Sequence, residues 1–363
     1  MTDTTPASNN REVAFDKSQF KSYVRASRFN RYMGKSENSV IQTKMNLTKQ
    51  DGDTINIPLV GALDSSGGAN DGTTSLVGNE KALPNDGHRI SVGIVRDATV
   101  VKVDDEQAST FDIMQSGKTA LKDLAMRYLK TDIINAMHSV QGTNYSAATA
   151  TEKNSWNASN VDRVLFGDAV GNYSATHATA LNNVTAGMSL SGDIISLAKE
   201  RAQGATAVGN SDGLRPIKYG EDNETFVCFV GNEAFRDFRA WLIANNSLKD
   251  AMERGAKNPL FSGGTSYEWD GVIVRQIPEI ASFNKTAVTP VAVAQYFFCG
   301  SQALGVAWAK TYTTTMRKED DYQLRKGIGF MELRGVEKLM YGTGSSGIDW
   351  GMLTGYTSAV ASA

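Results

Sequence analysis

The sequence predicts an α+β chain in which an extended β-hairpin and a long helix are attached to a compact α/β unit. Three observations carry this. Residues 45–103 hold two β-type runs around a polar, glycine-rich stretch, and residues 105–140 hold the longest helical apolar periodicity. Residues 190–300 alternate strand-like runs with short helical ones, as a central sheet flanked by helices does. With 363 residues the chain exceeds the usual size of one hydrophobic core, so two domains, or one core with large insertions, follow.

Composition excludes several classes. Hydrophobic content of 41% and charged content of 21% are ordinary for a folded protein. A net charge of −2 lacks the basic excess of a general nucleic-acid coat. No apolar run approaches the roughly 18 residues that span a bilayer, and the polar start MTDTTPASNN is not expected to act as a secretory signal. The two cysteines, Cys228 in TFVCFV and Cys299 in QYFFCG, sit in apolar strand-like runs. They read as buried thiols of a chain made in a reducing compartment.

The elements follow in order. Residues 1–16 read as disordered. Lys17, Lys21, Arg25, Arg28, Arg31 and Lys35 are spaced by 4, 4, 3, 3 and 4, which on a helix makes one basic stripe, ended near Gly34. MNLTKQDGDTINIPLV holds a turn signal at Asp51–Asp53. After the Gly/Ser/Asn/Asp-rich stretch 64–75, HRISVGIVRDATVVKV alternates and completes the long hairpin. Such a hairpin has little core of its own and must lie on something else, including another chain. Asp104, Asp105 and Glu106 suit a helix start, where the dipole favours negative charge. Ile113, Gly117, Leu121, Leu124 and Tyr128 then form an apolar stripe widened by Ala125, Leu129, Ile133 and Met137. About 30 helical residues would reach ~45 Å, a strut rather than a core helix.

Residues 142–188, rich in Ala, Ser, Thr and Asn, read as an insertion or variable surface segment. Ser191 is expected to cap a helix running to Gln203 and closed by Gly204. TFVCFV, GVIVRQI and VAVAQYFFC are the strands of the α/β unit. Asn232 is expected to cap the helix that carries Phe235, Phe238, Trp241 and Leu242 on one face. The last segment reads as strands with a charged turn at Lys318–Asp321, then a flexible tail.

Signs of chemistry dissolve on inspection. Ser116-Gly117-Lys118-Thr119 ends like a phosphate-binding loop, but the required first glycine is Asp112 and the tetrapeptide lies inside the long helix. Gly342-Thr343-Gly344-Ser345-Ser346-Gly347 matches G-x-G-x-x-G with only 16 residues behind it, too few for the helix and second strand that such a motif needs. His88, His138 and His177 are scattered, and no metal-ligand spacing occurs. His138 at a helix end reads as a cap. Asp104–Glu106 and Glu319–Asp321 read as a helix start and a solvated turn rather than paired catalytic carboxylates. No catalytic residue, cofactor or metal is expected. The basic stripe suits either phosphate contact or docking on a neighbouring chain. Phe20, Val24, Phe29 and Tyr32, interleaved with the charges, favour docking.

The order arm, long hairpin, long helix, α/β unit and closing strands resembles the Hong Kong 97-type capsid fold of tailed phages. RYMGKSENSVIQTKMNLTKQDGDTINIPL at 31–59 is similar to the opening of the coliphage N-four-type major capsid family. So is Leu76-Val77-Gly78-Asn79-Glu80-Lys81-Ala82-Leu83, as are Asn258–Gly263 before Tyr267–Val272, Gly300-Ser301-Gln302-Ala303-Leu304, and Asp321-Tyr322 through Gly335–Lys338. The resemblance covers about 15–140 and 190–341. It implies an N-terminal arm (1–44), an extended loop (45–103), a peripheral domain with spine helix and insertion (104–188), an axial domain (189–300), and peripheral closing strands with a tail (301–363). It further implies an icosahedral shell of hexamers and pentamers, enclosing double-stranded DNA and assembled in the host cytoplasm. Portal, scaffolding and decoration proteins would be partners. The short N-terminus departs from relatives with a fused scaffolding segment, so a separate scaffold is expected. Ile55, Ile57, Asn79 and Glu80 would be extended-loop contacts, and Ile57→Asp would block assembly more than folding. Three alternatives stay open: a nanocompartment shell around protein cargo, a tail or neck protein, and a hydrolase or lyase whose active site leaves no motif.

Overall fold

The computed structural model describes residues 28–45, 54–63, 72–73, 75–102, 113–205, 213–219, 223–245, 265–285, 291–317 and 324–359. The expected disordered start, Lys17, Lys21 and Arg25, the acidic start Asp104–Glu106, the run Asn258–Gly263 and the charged turn Lys318–Asp321 lie outside these residues.

Two sheets organise the chain. A five-stranded sheet runs in the order Met33–Gly34, Ile41–Lys44, Leu304–Met316, Arg325–Lys338, Gly93–Lys102. An eight-stranded sheet is built on the path Ser266–Trp269, Val272–Gln276, Asn223–Val230, Ala292–Cys299, Met352–Ser358, Val164–Phe166. The three strands read from TFVCFV, GVIVRQI and VAVAQYFFC are neighbours at its centre, where burial on both faces suits their continuous apolar runs.

The long helix spans Ile113–Met137, 25 residues and so about 38 Å. Its buried side chains are Leu121, Ala125, Leu129, Ile133, Ile134, Ala136 and Met137. Leu121 faces inward as expected, but the rest of the inward face follows Ala125, Leu129, Ile133 and Met137, expected only to widen the stripe; Leu124 and Tyr128 sit at its margin. That face packs on Trp308, Tyr312, Ile328 and Phe330 of the five-stranded sheet, in a cluster continuous with Val227, Phe229, Phe297 and Cys299 of the other sheet. One core therefore joins both sheets, and each large side chain in it contributes about 1.5–3 kcal/mol by burial. The opposite face of the eight-stranded sheet is covered by helices Gly192–Gln203 and Asn232–Ala244. Ser191 caps the first, accepting from the Ile194 amide at 3.3 Å, and Gly204 closes it, as the sequence indicates. The second departs from expectation. Gly231 holds the cap position, and the Asn232 side chain instead accepts from Gln276 Nε2 at 2.8 Å.

The hairpin is shorter than its sequence pattern. Thr54–Val60 pairs antiparallel with Asn85–Ser91, but the alternating run then breaks at Val92. Gly93–Lys102 leaves the hairpin to become the edge of the five-stranded sheet. Ile55, Ile57, Leu59 and Ile90 form a cluster with Ala307, Leu339 and Trp350 of the same chain. The hairpin base therefore lies on its own subunit, where Ile55 and Ile57 are buried instead of standing free for a neighbouring copy. Ile57 is fully buried, so Ile57→Asp should cost the unassembled subunit about 3 kcal/mol, read as a lower urea midpoint. An unchanged midpoint would return Ile57 to the assembly surface.

The foot of the arm is not a helix to residue 34. Asn30–Tyr32 make one 3-10 turn, and Met33–Gly34 are already a strand. Phe29 and Tyr32 meet the Phe229 ring edge-on at 5.4 and 5.2 Å, so these aromatics dock on their own subunit.

Two readings of low-apolar segments are overturned. Residues 142–188 are a packed unit in which Trp156, Val164, Phe166, Ala180, Leu181 and Val184 form a cluster with Val293 and Tyr356. A capping box, Thr149 with Glu152, starts its helix Ala150–Ser159. The tail is no flexible loop: every residue of strand Met352–Ser358 is buried, between the strands at 292–299 and 164–166. Gly355 is there for packing, because a Cβ would fall 1.9 Å from Cζ of Tyr296.

Candidate assembly surfaces

Arg28, Arg31 and Lys35 are all exposed at the foot of the arm, without the single helical stripe that their spacing implied. Arg31 and Lys218 line a groove of about 220 Å³ together with Met33, Val40 and Ile217.

Among the described residues, the distal part of the hairpin loop exposes several large apolar side chains. Residues 75–80 fold into a compact turn. The Asn79 amide donates to Leu76 O at 3.0 Å, Asn79 Nδ2 donates to Ser75 O at 2.8 Å, and the Gly78 amide donates to Glu80 Oε2 at 2.7 Å. Gly78 takes φ +87°, a conformation that favours glycine. Asn79 and Glu80 therefore shape the turn with their side chains. What the turn presents is Leu76 and Val77, 65% and 83% exposed, with Leu63 and Leu83 nearby in the chain. Leu76, Val77 and Leu83 stand in the family-like run 76–83 but were not expected as contacts; their signal was apolar side chains directly after the Gly/Ser/Asn/Asp-rich stretch 64–75.

The edge strand Gly93–Lys102 exposes Ile94 and Val100. Asp97 blunts its middle: Oδ1 accepts from the Ala98 amide at 2.8 Å, while Oδ2 accepts from Tyr128 of the long helix at 2.9 Å. That bond raises the Tyr128 pKa.

The interior is structural. Lys338 Nζ and Asp349 Oδ2 pair at 2.8 Å, both essentially without exposure. Trp156 Nε1 donates to the same oxygen at 3.1 Å, the Asp349 amide donates to Asn160 Oδ1 at 2.8 Å, and Arg163 Nε donates to Asp349 O at 2.5 Å. Lys338 also donates to Ser139 O at 2.5 Å. The node ties the end of the five-stranded sheet to the 142–188 unit and the closing segment. Arg334, equally buried, pairs with Glu332 at 2.9 Å and Asp132 at 2.6 Å.

The histidines do not converge. His88 reaches Glu337 at 3.1 Å, linking the hairpin to the sheet. His138 hydrogen-bonds Gln295 with its side chain instead of capping the helix. His177 contacts Tyr145 OH at 2.9 Å inside rings of Trp156, Phe166 and Tyr356. Burial lowers both His138 and His177 to about 4; Gln295 opposes the shift at His138 and Lys338 adds to it, while Lys153 adds to it at His177. Cys228 and Cys299 are free and buried, and burial raises both thiols. Among the described residues no group of three or more His, Cys, Asp or Glu could hold a metal ion.

Residues 4–361 match the phage capsid protein family. The chain belongs to the phage capsid protein family. It is a structural protein of the virion capsid, not an enzyme, and capsids are assemblies of repeated subunits. The capsid subunit of cyanophage Pam1 shares 30% identity with this one, with a TM-score of 0.81 and 93% of both chains covered. The capsid of Ralstonia phage GP4 follows at 18% identity and TM-score 0.74, over 93% of this chain and 92% of that one. The head of Helicobacter pylori bacteriophage KHP40 gives 12% and 0.64, over 92% and 91%. These last two show the fold alone. No curated protein sequence matches this capsid chain.

Proposed function

We propose that this chain is the major capsid protein of a tailed phage, whose copies close as hexamers and pentamers into an icosahedral shell around double-stranded DNA. The end-to-end similarity to the Pam1 capsid subunit carries the reading. The long helix with its five-stranded sheet corresponds to a peripheral domain, and the eight-stranded sheet, now including Met352–Ser358, to an axial one. Leu76 and Val77 on the loop tip, and Ile94 and Val100 on the edge strand, supply apolar surface to bury against other copies. Single contacts of ordinary size are weak, but several per subunit gain strength from closure of the shell. Arg28, Arg31 and Lys35, with Lys17, Lys21 and Arg25, serve a neighbouring copy or the packaged DNA. Assembly takes place in the host cytoplasm, with portal, scaffolding and decoration proteins as partners.

The test is electron microscopy with size-exclusion chromatography of the purified protein, alone and with a scaffolding protein from the same phage. Closed shells or discrete hexamers and pentamers are expected, and a monomer under every condition would overturn the proposal. Val77→Asp should abolish shells while changing subunit stability by no more than about 0.5 kcal/mol, since its side chain is solvent-facing. Normal shells from that variant would remove the loop tip from the interface.

A further inference from the structure

Among the described residues, three that are not glycine hold a left-handed backbone: Gln141 (φ 50°), Asp270 (φ 49°) and Gln302 (φ 53°). The first two have an ordinary cause. Each precedes a glycine that is also left-handed, Gly142 (φ 84°) and Gly271 (φ 70°), and each pair joins two antiparallel strands. Two-residue hairpin turns of type I′ need positive φ at both positions. Gln302 is followed by Ala303 and lies in no such hairpin, so something else over-determines its strained conformation.

Its surroundings supply the cause. Residues 300–303 carry the chain from strand Ala292–Cys299 of the eight-stranded sheet into strand Leu304–Met316 of the five-stranded sheet. Gln302 is 2% exposed. Its amide donates to Ser39 O at 2.8 Å, its Nε2 donates to Gln42 Oε1 at 3.1 Å, and its Oε1 accepts from Trp350 Nε1 at 3.3 Å. Ser39 and Gln42 belong to the arm's foot and the strand that follows it. Trp350 belongs to the return passage 339–351, which carries the chain back from one sheet to the other.

The two passages lie back to back. The Gly300 amide donates to Gly351 O at 2.9 Å, the Leu339 amide to Ala303 O at 3.2 Å, and the Trp350 amide to Leu339 O at 2.9 Å. A Cβ on Gly351 would lie 2.4 Å from Ser301 O, so the backbones touch. Rotation of one sheet against the other must disturb this joint, and one side chain spans its three strands of backbone.

We propose that Gln302 is the positioning residue that locks the angle between the two sheets, and thereby fixes the curvature each copy brings to the shell. This rests on the reading that copies close into a shell. A closed shell of one size needs subunits confined to a narrow range of shapes. A buried side chain tied to two other segments confines the shape without itself touching a neighbour.

The test is Gln302→Gly, because glycine adopts the same backbone without strain while losing both side-chain bonds. In the unassembled subunit, hydrogen–deuterium exchange at the amides of 300–304 and at Trp350 should rise about tenfold, with strand Asn223–Val230 unchanged. Cryo-electron microscopy should show shells of several diameters where the unaltered protein gives one. Unchanged exchange, or shells of the original single diameter, would overturn the inference. Should Gln302→Gly fail to fold, Trp350→Phe removes the Nε1 bond and part of the ring while leaving an aromatic beside Tyr341; the same two readouts apply. If the unaltered protein never closes shells, it is the shell reading that fails, and the exchange measurement still decides whether Gln302 locks the joint.

Discussion

Asp349→Ala is expected to destabilise the unassembled subunit by about 4 kcal/mol, near the top of what one substitution does. The carboxylate is the acceptor for Lys338 Nζ and Trp156 Nε1. Its removal leaves an ammonium group buried without its counter-charge, and an uncompensated buried charge costs far more than the net worth of the pair. The loss should appear in urea unfolding as a shifted midpoint with an unchanged slope. Lys338→Met combined with Asp349→Leu should recover part of it, because no buried charge is left, although the Trp156 Nε1 hydrogen still loses its acceptor. A loss below about 1 kcal/mol for the single substitution would show that water reaches Lys338 and the node is not closed.

Acid should weaken the subunit before it reaches ordinary carboxylate pKa values. His138 and His177 titrate at about 4 in the fold, against 6.5 for a free imidazole, mainly because burial disfavours the charged ring. The folded state therefore binds fewer protons than the unfolded state between those values. Stability is fully present above pH ~6.5 and falls as pH drops toward 4. At ~1.4 kcal/mol per unit, each histidine accounts for roughly 3 kcal/mol across that window. Unfolding curves at pH 7.5, 5.5 and 4.5 would measure the slope. His177→Phe, which keeps a ring among Trp156, Phe166 and Tyr356, should flatten it by about half. Equal slopes for the two proteins would mean that His177 is protonated in the fold without penalty.

Much of this architecture is legible in local sequence. The apolar spacing from Leu121 to Met137 marks the long helix, Ser191 and Gly204 mark both ends of the next long one, and the runs around Cys228 and Cys299 mark the central strands. Such signals survive because helix periodicity, capping and strand burial depend on residues close along the chain. The rejected phosphate-loop and dinucleotide motifs also follow from local context, and family resemblance from short runs such as 300–304.

Contacts distant in sequence were not legible. Residues 142–188 and 352–358 carry small and polar residues, so nothing local announces that they are buried; their partners are Val293, Tyr296 and the node at Asp349. Gly355 looks like a flexible break until the Tyr296 ring lies over it. Ile57 looks like a surface anchor until Leu339 and Trp350 cover it.

The sequence by itself therefore determined the long helix, the capped helix after it and the central strands, and to which kind of protein the chain is similar. The tertiary structure alone decided which apolar residues are spent inside the subunit and which, such as Val77, stay exposed. The physical reason is that burial belongs to the whole fold: an apolar side chain faces solvent or core according to what distant segments leave uncovered.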